Sequence, residues 1–514
     1  MSKSNIWARK PVEAFEEDMR QSGLKRVLGK WGLTAIGIGA IIGAGIFVMS
    51  GVGAKEYAGP ALALSFVAAG IGCTFAALCY AEFASFLPVE GSAYAYSYAT
   101  MGELFAWIIG WDLILEYAMG ASAVAVGWSG YLSKFLLLFH IKLPLWLMND
   151  SFSAQSLLRE AATSADKMKT MLSHYSDISL PSIMGHPFAI NLPAFLIIWV
   201  ITMILVKGIK EAASANAFMV VLKLVVVLFI IIVGANYVDT ANWHPFIPER
   251  TMITNPGESM PHGAYGLMGI LGGAGYIFFA YIGFDTVSTQ AGEAKNPQKD
   301  VPFGILTSLV VCTILYILVS LVLTGMINYK DIDITAPIAA AFGAKGLGFA
   351  VLIISIAAIA GLTSVLIVML LGQSRVFFAM AKDGLLPKGV FGTLHTKFHT
   401  PYKASLLTGL VVSIVSAFTP ISVIAELVNI GTLLAFVLVC GAVWLMRIKE
   451  PDRPRPFRTP CLPVVATLGI LSNLAIMCGL EAINWIRLVV WLLIGFIVYF
   501  TYGRFHSKLN NPGL

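Results

Sequence analysis

The feature that most limits what this chain can fold into is a glycine run inside its first apolar segment, Gly37-Ile38-Gly39-Ala40-Ile41-Ile42-Gly43-Ala44-Gly45-Ile46-Phe47. Four glycines fall within nine residues, and each costs about 1 kcal/mol relative to Ala in a helix. Apolar residues on both sides nevertheless place the run in a bilayer. Backbone that unwinds at membrane depth persists only where protein or a water-filled cavity satisfies its amides and carbonyls. One reading is therefore a ligand cradle. The other is close helix packing through small residues, since Gly39 and Gly43 have the G-x-x-x-G spacing.

A second stretch weighs toward the cradle. Residues 272–285 (GGAGYIFFAYIGFD) are again apolar, glycine-interrupted and polar at their end. Paired broken segments in corresponding positions of two halves point to the binding site of a secondary transporter. With 58% hydrophobic and 12% charged residues over 514 positions, the chain reads as a polytopic membrane protein. A net charge of +6 without a basic, aromatic-interleaved stripe gives no nucleic-acid partner. Residues 1–30 contain no apolar core of a cleaved signal peptide. The six cysteines lack C-x-x-C spacing and read as buried small hydrophobes, not as a disulfide framework or a metal site.

Twelve apolar runs are predicted to span the membrane, near 32–52, 60–87, 103–139, 192–207, 213–236, 265–289, 302–326, 347–380, 404–419, 422–447, 463–482 and 485–503. With both termini inside, 23 of the 34 Lys and Arg residues fall on the inner side and 10 on the outer, leaving Lys223 within a span. That bias predicts a multi-pass protein of the cell (inner) membrane with cytoplasmic termini. The outer segment at about 140–190 is expected to form one or two surface helices, as a solvated decoration or a lid.

No H-E-x-x-H, G-x-S-x-G or G-x-x-x-x-G-K-[ST] occurs, and no catalytic constellation, metal or cofactor is predicted. The eight histidines fall outside the spans or at their edges. Ionisable groups deep in the spans are functional candidates. Lys223 lies about ten residues from either end of its run, too deep to snorkel easily. Its ammonium must find acceptors or give up its proton, so it reads as a proton carrier or a fixed cation, against the alternative of a structural ion pair. Asp112 and Glu116 share one helix face. Glu116, near mid-membrane, is a candidate acceptor for a substrate ammonium or a proton relay, whereas Asp112 reads as structural. Asp285 is expected to cap a half-helix, and Glu82 and Glu426 to mark span ends. Thr363 and Ser364 either bond back to their own helix or complete a site facing the first break.

Together, GIGAIIGAGIF, YAEFASFLPVEGSAYAY, FFAYIGFDTVSTQAGEAKNPQKDVP, GQSRVFFAMAKDGLLP and RPFRTP resemble the amino acid–polyamine–organocation superfamily, and within it the cationic amino acid transporter-like permeases. The resemblance runs from about residue 25 to 500, least over 140–190. It implies an all-α leucine-transporter-type fold with a 5+5 inverted repeat and discontinuous helices 1 and 6. The parts would be a tail (1–30), a first repeat (31–236), a second (237–447), peripheral helices (448–503) and a second tail (504–514). It also implies that the amides of Gly43, Ala44 and Gly45 hold a substrate carboxylate, and that the carbonyls of Ile41, Phe279, Ala280 and Ile282 receive an α-ammonium. Phe279 would act as a gate, and Lys223 would stand where sodium-coupled relatives hold their ion, which implies proton symport of L-amino acids. Animal members that carry arginine have Ser at the position of Met369. A Met there implies a shorter pocket for small or medium neutral amino acids, with a cationic substrate, met by Glu116, kept open. Rival readings are an exchanger of the same fold and an amino acid sensor that moves nothing.

Overall fold

The computed structural model describes residues 5–15, 28–87, 92–207, 212–253, 262–291, 294–398, 400–480 and 482–510. Most of the predicted N-terminal tail, the end of the C-terminal one and residues 208–211 lie outside these residues. The main helices, in chain order, are α1 (Lys30–Ile41), α2 (Leu62–Phe86), α3 (Ser92–Thr100), α4 (Glu103–Leu138), α5 (Ser151–Ala161), α6 (Ala165–His174), α7 (Leu192–Lys207), α8 (Ala212–Ala235), α9 (Gly266–Ile277), α10 (Pro297–Met326), α11 (Pro337–Ala344), α12 (Gly348–Lys382), α13 (Tyr402–Phe418), α14 (Ile421–Lys449), α15 (Leu462–Cys478) and α16 (Ala482–Val498). Two small antiparallel strand pairs, Ser182–Ile183 with His186–Pro187 and Thr251–Ile253 with His262–Ala264, are the sheet among the described residues.

Each predicted apolar run is helical over most of its length. Among the described residues, eight helical stretches are long and apolar enough to cross a bilayer. One of them, Gly45–Phe86, joins the end of the first predicted span to the whole of the second. Helices α7, α13 and α15 have 16 or 17 residues, about 24–26 Å by helix rise, slightly less than the ~30 Å hydrocarbon layer.

Burial separates an inner group of helices from an outer one. α4 packs on α12 and α14, and α10 packs on α1 and α2. Leu33, Phe66, Tyr80, Trp107, Leu362 and Phe436 are all at most 1% exposed. By contrast, α8 exposes Phe218, Val221, Val225, Leu228 and Ile232, and α16 exposes Ile486, Val489, Val490, Leu493 and Ile497. Apolar rows of that length are too large for a water-facing surface and match lipid tails.

The 140–190 segment carries the two helices expected of it, α5 and α6. Asp150 caps α5 by accepting from the amides of Phe152 and Ser153, both at 2.9 Å, and Ser164 caps α6 by accepting from Asp166. Leu145, Ala154, Ala161, Met171 and Ala189 give the segment its own small core. Lys55 reaches Glu160 at 3.7 Å and so ties it to the bundle.

One expectation needs correction. Cys73, Cys79, Cys312 and Cys440 are buried, but Cys461 and Cys478 are exposed, because they stand at the two ends of α15.

Candidate functional site

Both glycine-bearing segments are interrupted, and they are interrupted where they touch. α1 stops at Ile41, and Ile42 turns to an extended conformation with ψ 100°. Helix resumes as a π-helix at Gly45–Met49, with a second π-helix at Gly53–Ala58. In the other segment, α9 tightens into a 3-10 turn at Phe278–Tyr281. Ile282 is then extended, and Gly283 has φ +117°, which glycine adopts without penalty. A side chain at Gly45 would run into Cα and Cβ of Ala280, and one at Gly283 would stand 2.9 Å from the carbonyl carbon of Ala40. Glycine is needed at both places so that two bare backbones can meet.

The cradle and packing readings of the first run both apply, at different glycines. Gly39 and Gly43 receive Val220 of α8 and Val365 of α12, which is small-residue packing. Because the chain between Ile41 and Gly45 is not helical, the first amides of the resumed helix have no carbonyl one turn earlier to pair with. They carry the positive end of its dipole. The carbonyls at the end of α1 are likewise left over. Lys223 of α8, fully buried, donates its ammonium to the carbonyls of Gly39 and Ile42, the latter at 2.9 Å. Tyr316 of α10 places its hydroxyl between the two breaks, 2.7 Å from the Ile41 carbonyl and 2.8 Å from that of Ala280.

Comparison with known proteins decides the family. The amino acid permease family profile matches residues 28–505. The chain belongs to that family, within the amino acid–polyamine–organocation superfamily. It is 44% identical to a branched-chain amino acid permease of Bacillus subtilis (strain 168), over 99% of this chain and all of the relative. It is 41% identical to a methylthioribose transporter of the same organism, with 99% and 100% covered. It is also 37% identical to a vacuolar cationic amino acid transporter of Arabidopsis thaliana, over 87% of this chain and 64% of that protein. This permease is therefore an integral membrane protein and not an enzyme.

The remaining predicted residues lie on α4, α12 and the second interrupted segment. Glu116 is buried on α4, and the polar groups acting on it are Asp285, Thr432 and Asp112. One turn further along α4, Gly120 faces the Met369 sulfur of α12, which would stand 3.0 Å from a methyl there. Met369 thus packs against α4 one turn from Glu116. Gly361 of α12 lies against the Lys223 stem, and the buried Ser364, three residues on, shares that helix face. Thr363 points elsewhere: it donates to the Ile359 carbonyl at 2.7 Å and accepts from the Trp128 indole at 3.0 Å. Phe279 is 4% exposed, and its carbonyl accepts from the Ile282 amide. Asp285 occupies the N-cap position of Thr286–Thr289 without a side-chain cap bond, because its backbone there is already helical.

Three groups of the site were not anticipated. Tyr316 is one. Asn429 of α14 donates to the carbonyls of Gly275 and Tyr276, both at 2.8 Å, just before the second break. Tyr131 donates to the Phe47 carbonyl at 2.7 Å. None carries a charge, so none gives the signal that marked Lys223. Glu82 is also more than a boundary residue. It is fully buried, and Arg447 grips it with two bonds of 3.0 and 2.7 Å while the Thr459 amide donates at 2.8 Å. The RPFRTP motif thereby pins the loop after α14 to the end of α2.

On the side of the 140–190 segment, a cavity of about 350 Å³ is lined by Lys55, Lys134, Glu160, His174 and Asp333, among others. Burial would raise the Asp333 carboxyl, but Lys134 at 2.7 Å and Thr335 outweigh it and hold the group well below the usual carboxylate range. Burial and the nearby Lys134 push the His174 imidazole down.

Proposed function

We propose that this permease is a secondary active transporter that imports L-amino acids by proton symport and alternating access. The observation that carries the reading is the contact of two interrupted helices at Gly45 and Ala280, with Lys223 bonded to the carbonyls that the first interruption frees. The amides of Gly43, Ala44 and Gly45 take the substrate carboxylate at a helix N-terminus. The carbonyls of Ile41, Phe279, Ala280 and Ile282 take the ammonium, with the Tyr316 hydroxyl released from Ile41 and Ala280 as it arrives. Lys223, with Ser364 on the neighbouring helix, is the ion-coupling group; Thr363, turned toward Trp128 and its own backbone, takes no part. While charged it holds α1 at Gly39 and Ile42. After losing its proton it can donate less to those carbonyls, so that α1 and α8 are free to part.

Architecture and placement follow the same reading. Twelve membrane helices form a leucine-transporter-type fold, with repeats at 31–236 and 237–447, peripheral helices at 448–503 and both tails in the cytoplasm. The membrane is the cell (inner) membrane, and no cofactor or metal takes part. Glu116, Met369 and Phe279 line the side-chain end of the pocket. Met369 against Gly120 favours small or medium neutral substrates, in keeping with the name of the 44% identical relative. That a 41% identical relative is named for methylthioribose makes a substrate screen the first experiment. Thermal shift with twenty amino acids and methylthioribose should single out neutral amino acids, since a bound ligand raises stability by mass action. Uptake into proteoliposomes without internal amino acid, driven by an inward proton gradient, then separates symport from exchange. Counterflow without such uptake would make the protein an exchanger, and binding without either would make it a sensor.

A further inference from the structure

The resumed part of the first interrupted segment ends abruptly. Its second π-helix stops at Ala58, and Gly59 turns away with φ +61°. The Gly59 amide serves the Ala54 carbonyl, and Pro60, the next residue, has no amide hydrogen. Carbonyls of the last turn therefore need donors from elsewhere. Tyr265, which stands immediately before α9, supplies two of them. Its amide donates to the Tyr57 carbonyl at 2.7 Å, and its hydroxyl donates to the Lys55 carbonyl, also at 2.7 Å. One residue of the second interrupted segment thus closes the end of the first.

Tyr265 does this from a strained backbone. With φ 64° and ψ −176° it occupies a region that is essentially confined to glycine. Glycine would adopt it freely but would lose the hydroxyl bond. The Tyr265 ring is also buried, packed edge-on against Tyr329 with centroids 5.2 Å apart. Such strain persists only where the surroundings over-determine it, and it clusters where a fold performs work. Beyond Tyr265 the two segments stay in close contact. A side chain at Gly269 would run into the Tyr57 carbonyl, and the Tyr57 ring stacks on Tyr276 at 5.0 Å. Each segment is joined to its other half, by contrast, through residues that are not helical, Ile42 in one and Ile282 with Gly283 in the other. A few backbone torsions of that kind can absorb a rotation.

We infer that Tyr265 staples the two interrupted segments together, so that Gly45–Ala58 and α9 swing as one unit about the two interruptions, with Gly59 as the joint to α2. Tyr265 is a positioning residue, acting through the main chain of the first segment. The inference rests on the alternating-access reading.

The test uses the full-length protein in nanodiscs and proteoliposomes, with the exposed Cys461 and Cys478 replaced by Ser. Spin labels at Glu56→Cys and Leu267→Cys report within the unit, and labels at Leu267→Cys and Phe349→Cys report the unit against α12; Leu267 and Phe349 are both exposed. On acidification or addition of leucine, the first dipolar coupling should stay constant while the second distance shifts. Tyr265→Gly should broaden the first distribution and lower the maximal leucine uptake rate about tenfold, with leucine affinity within threefold of wild type. Tyr265→Phe, which keeps the ring and the amide bond, should lower the rate about threefold, and it is read the same way if the Gly variant does not fold. A first coupling that changes in the wild type while the second distance also shifts overturns the inference alone. So does a variant that loses thermal stability but keeps the wild-type coupling and rate, since the role is then merely structural. A second distance that never shifts overturns the alternating-access reading and the inference with it.

Discussion

Replacing Lys223 by Ala probes coupling at one atom. The ammonium serves the carbonyls of Gly39 and Ile42, and leaving two buried acceptors unpaired costs about 1–3 kcal/mol each. Against this, removing a fully buried charge relieves a desolvation penalty of several kcal/mol. The two effects nearly cancel, so Lys223→Ala should remain folded and bind amino acid with an affinity within roughly tenfold of wild type. Coupling should not survive. One pH unit corresponds to about 1.4 kcal/mol per proton, so a one-to-one symporter at zero membrane potential can accumulate substrate about tenfold for each unit of inward gradient. In proteoliposomes with the potential clamped, wild type should approach that ratio and Lys223→Ala should stop at equal concentrations. Acid-stimulated accumulation by the variant at the wild-type ratio would refute the role given to Lys223.

Other outcomes follow from the same geometry. Gly45→Ala must displace backbone at Ala280, whereas Gly43→Ala meets only the Val365 side chain; the first should lower thermal stability by about 1–3 kcal/mol and the second by clearly less, and equal losses would contradict the contact. Tyr316→Phe removes the donor shared by Ile41 and Ala280 and should change substrate affinity by about threefold to thirtyfold, read by calorimetry; unchanged affinity would place the ammonium elsewhere. Met369→Ser opens space beside Glu116 and should raise arginine or lysine uptake relative to leucine, measured by radiolabel competition. Asp333, whose carboxyl is held low by Lys134, contributes stability that is fully present above the ordinary carboxylate value near 3.9 and is lost progressively as pH falls below it; Lys134→Met should cost about 1–2 kcal/mol at neutral pH, since the pair is partly exposed, and should flatten the acid loss seen by thermal melting.

Much of this was legible in sequence because the bilayer narrows the possibilities. Glycines in an apolar run must either pack or leave backbone polar groups for something else to satisfy, and Gly37–Gly45 does both. Lys223 stood out because a charge at that depth requires a partner, although nothing in the sequence says that the partners are carbonyls of α1. Tyr316 and Asn429 carry no charge, and a lone Tyr or Asn in an apolar helix reads as ordinary packing until the carbonyl it meets is known. Thr363 illustrates the converse. Its neighbour Ser364 has the same chemistry, but one position of helical rotation turns Thr363 toward Trp128 and its own backbone. Asp285 makes no ordinary cap bond for a similarly local reason: the residue is already in helical conformation, so its carboxylate faces the amides of Gly283, Asp285 and Thr286 at the helix start.

The central claim is that two interrupted helices hold the charged ends of an amino acid by main-chain groups alone. A structure of the protein with a bound neutral amino acid tests it most directly. The carboxylate should lie within hydrogen-bonding distance of the amides of Gly43, Ala44 and Gly45, with the ammonium against the carbonyls of Ile41 and residues 279–282. An amino acid bound away from both interruptions, or helices that become continuous there with no space between them, would contradict the account.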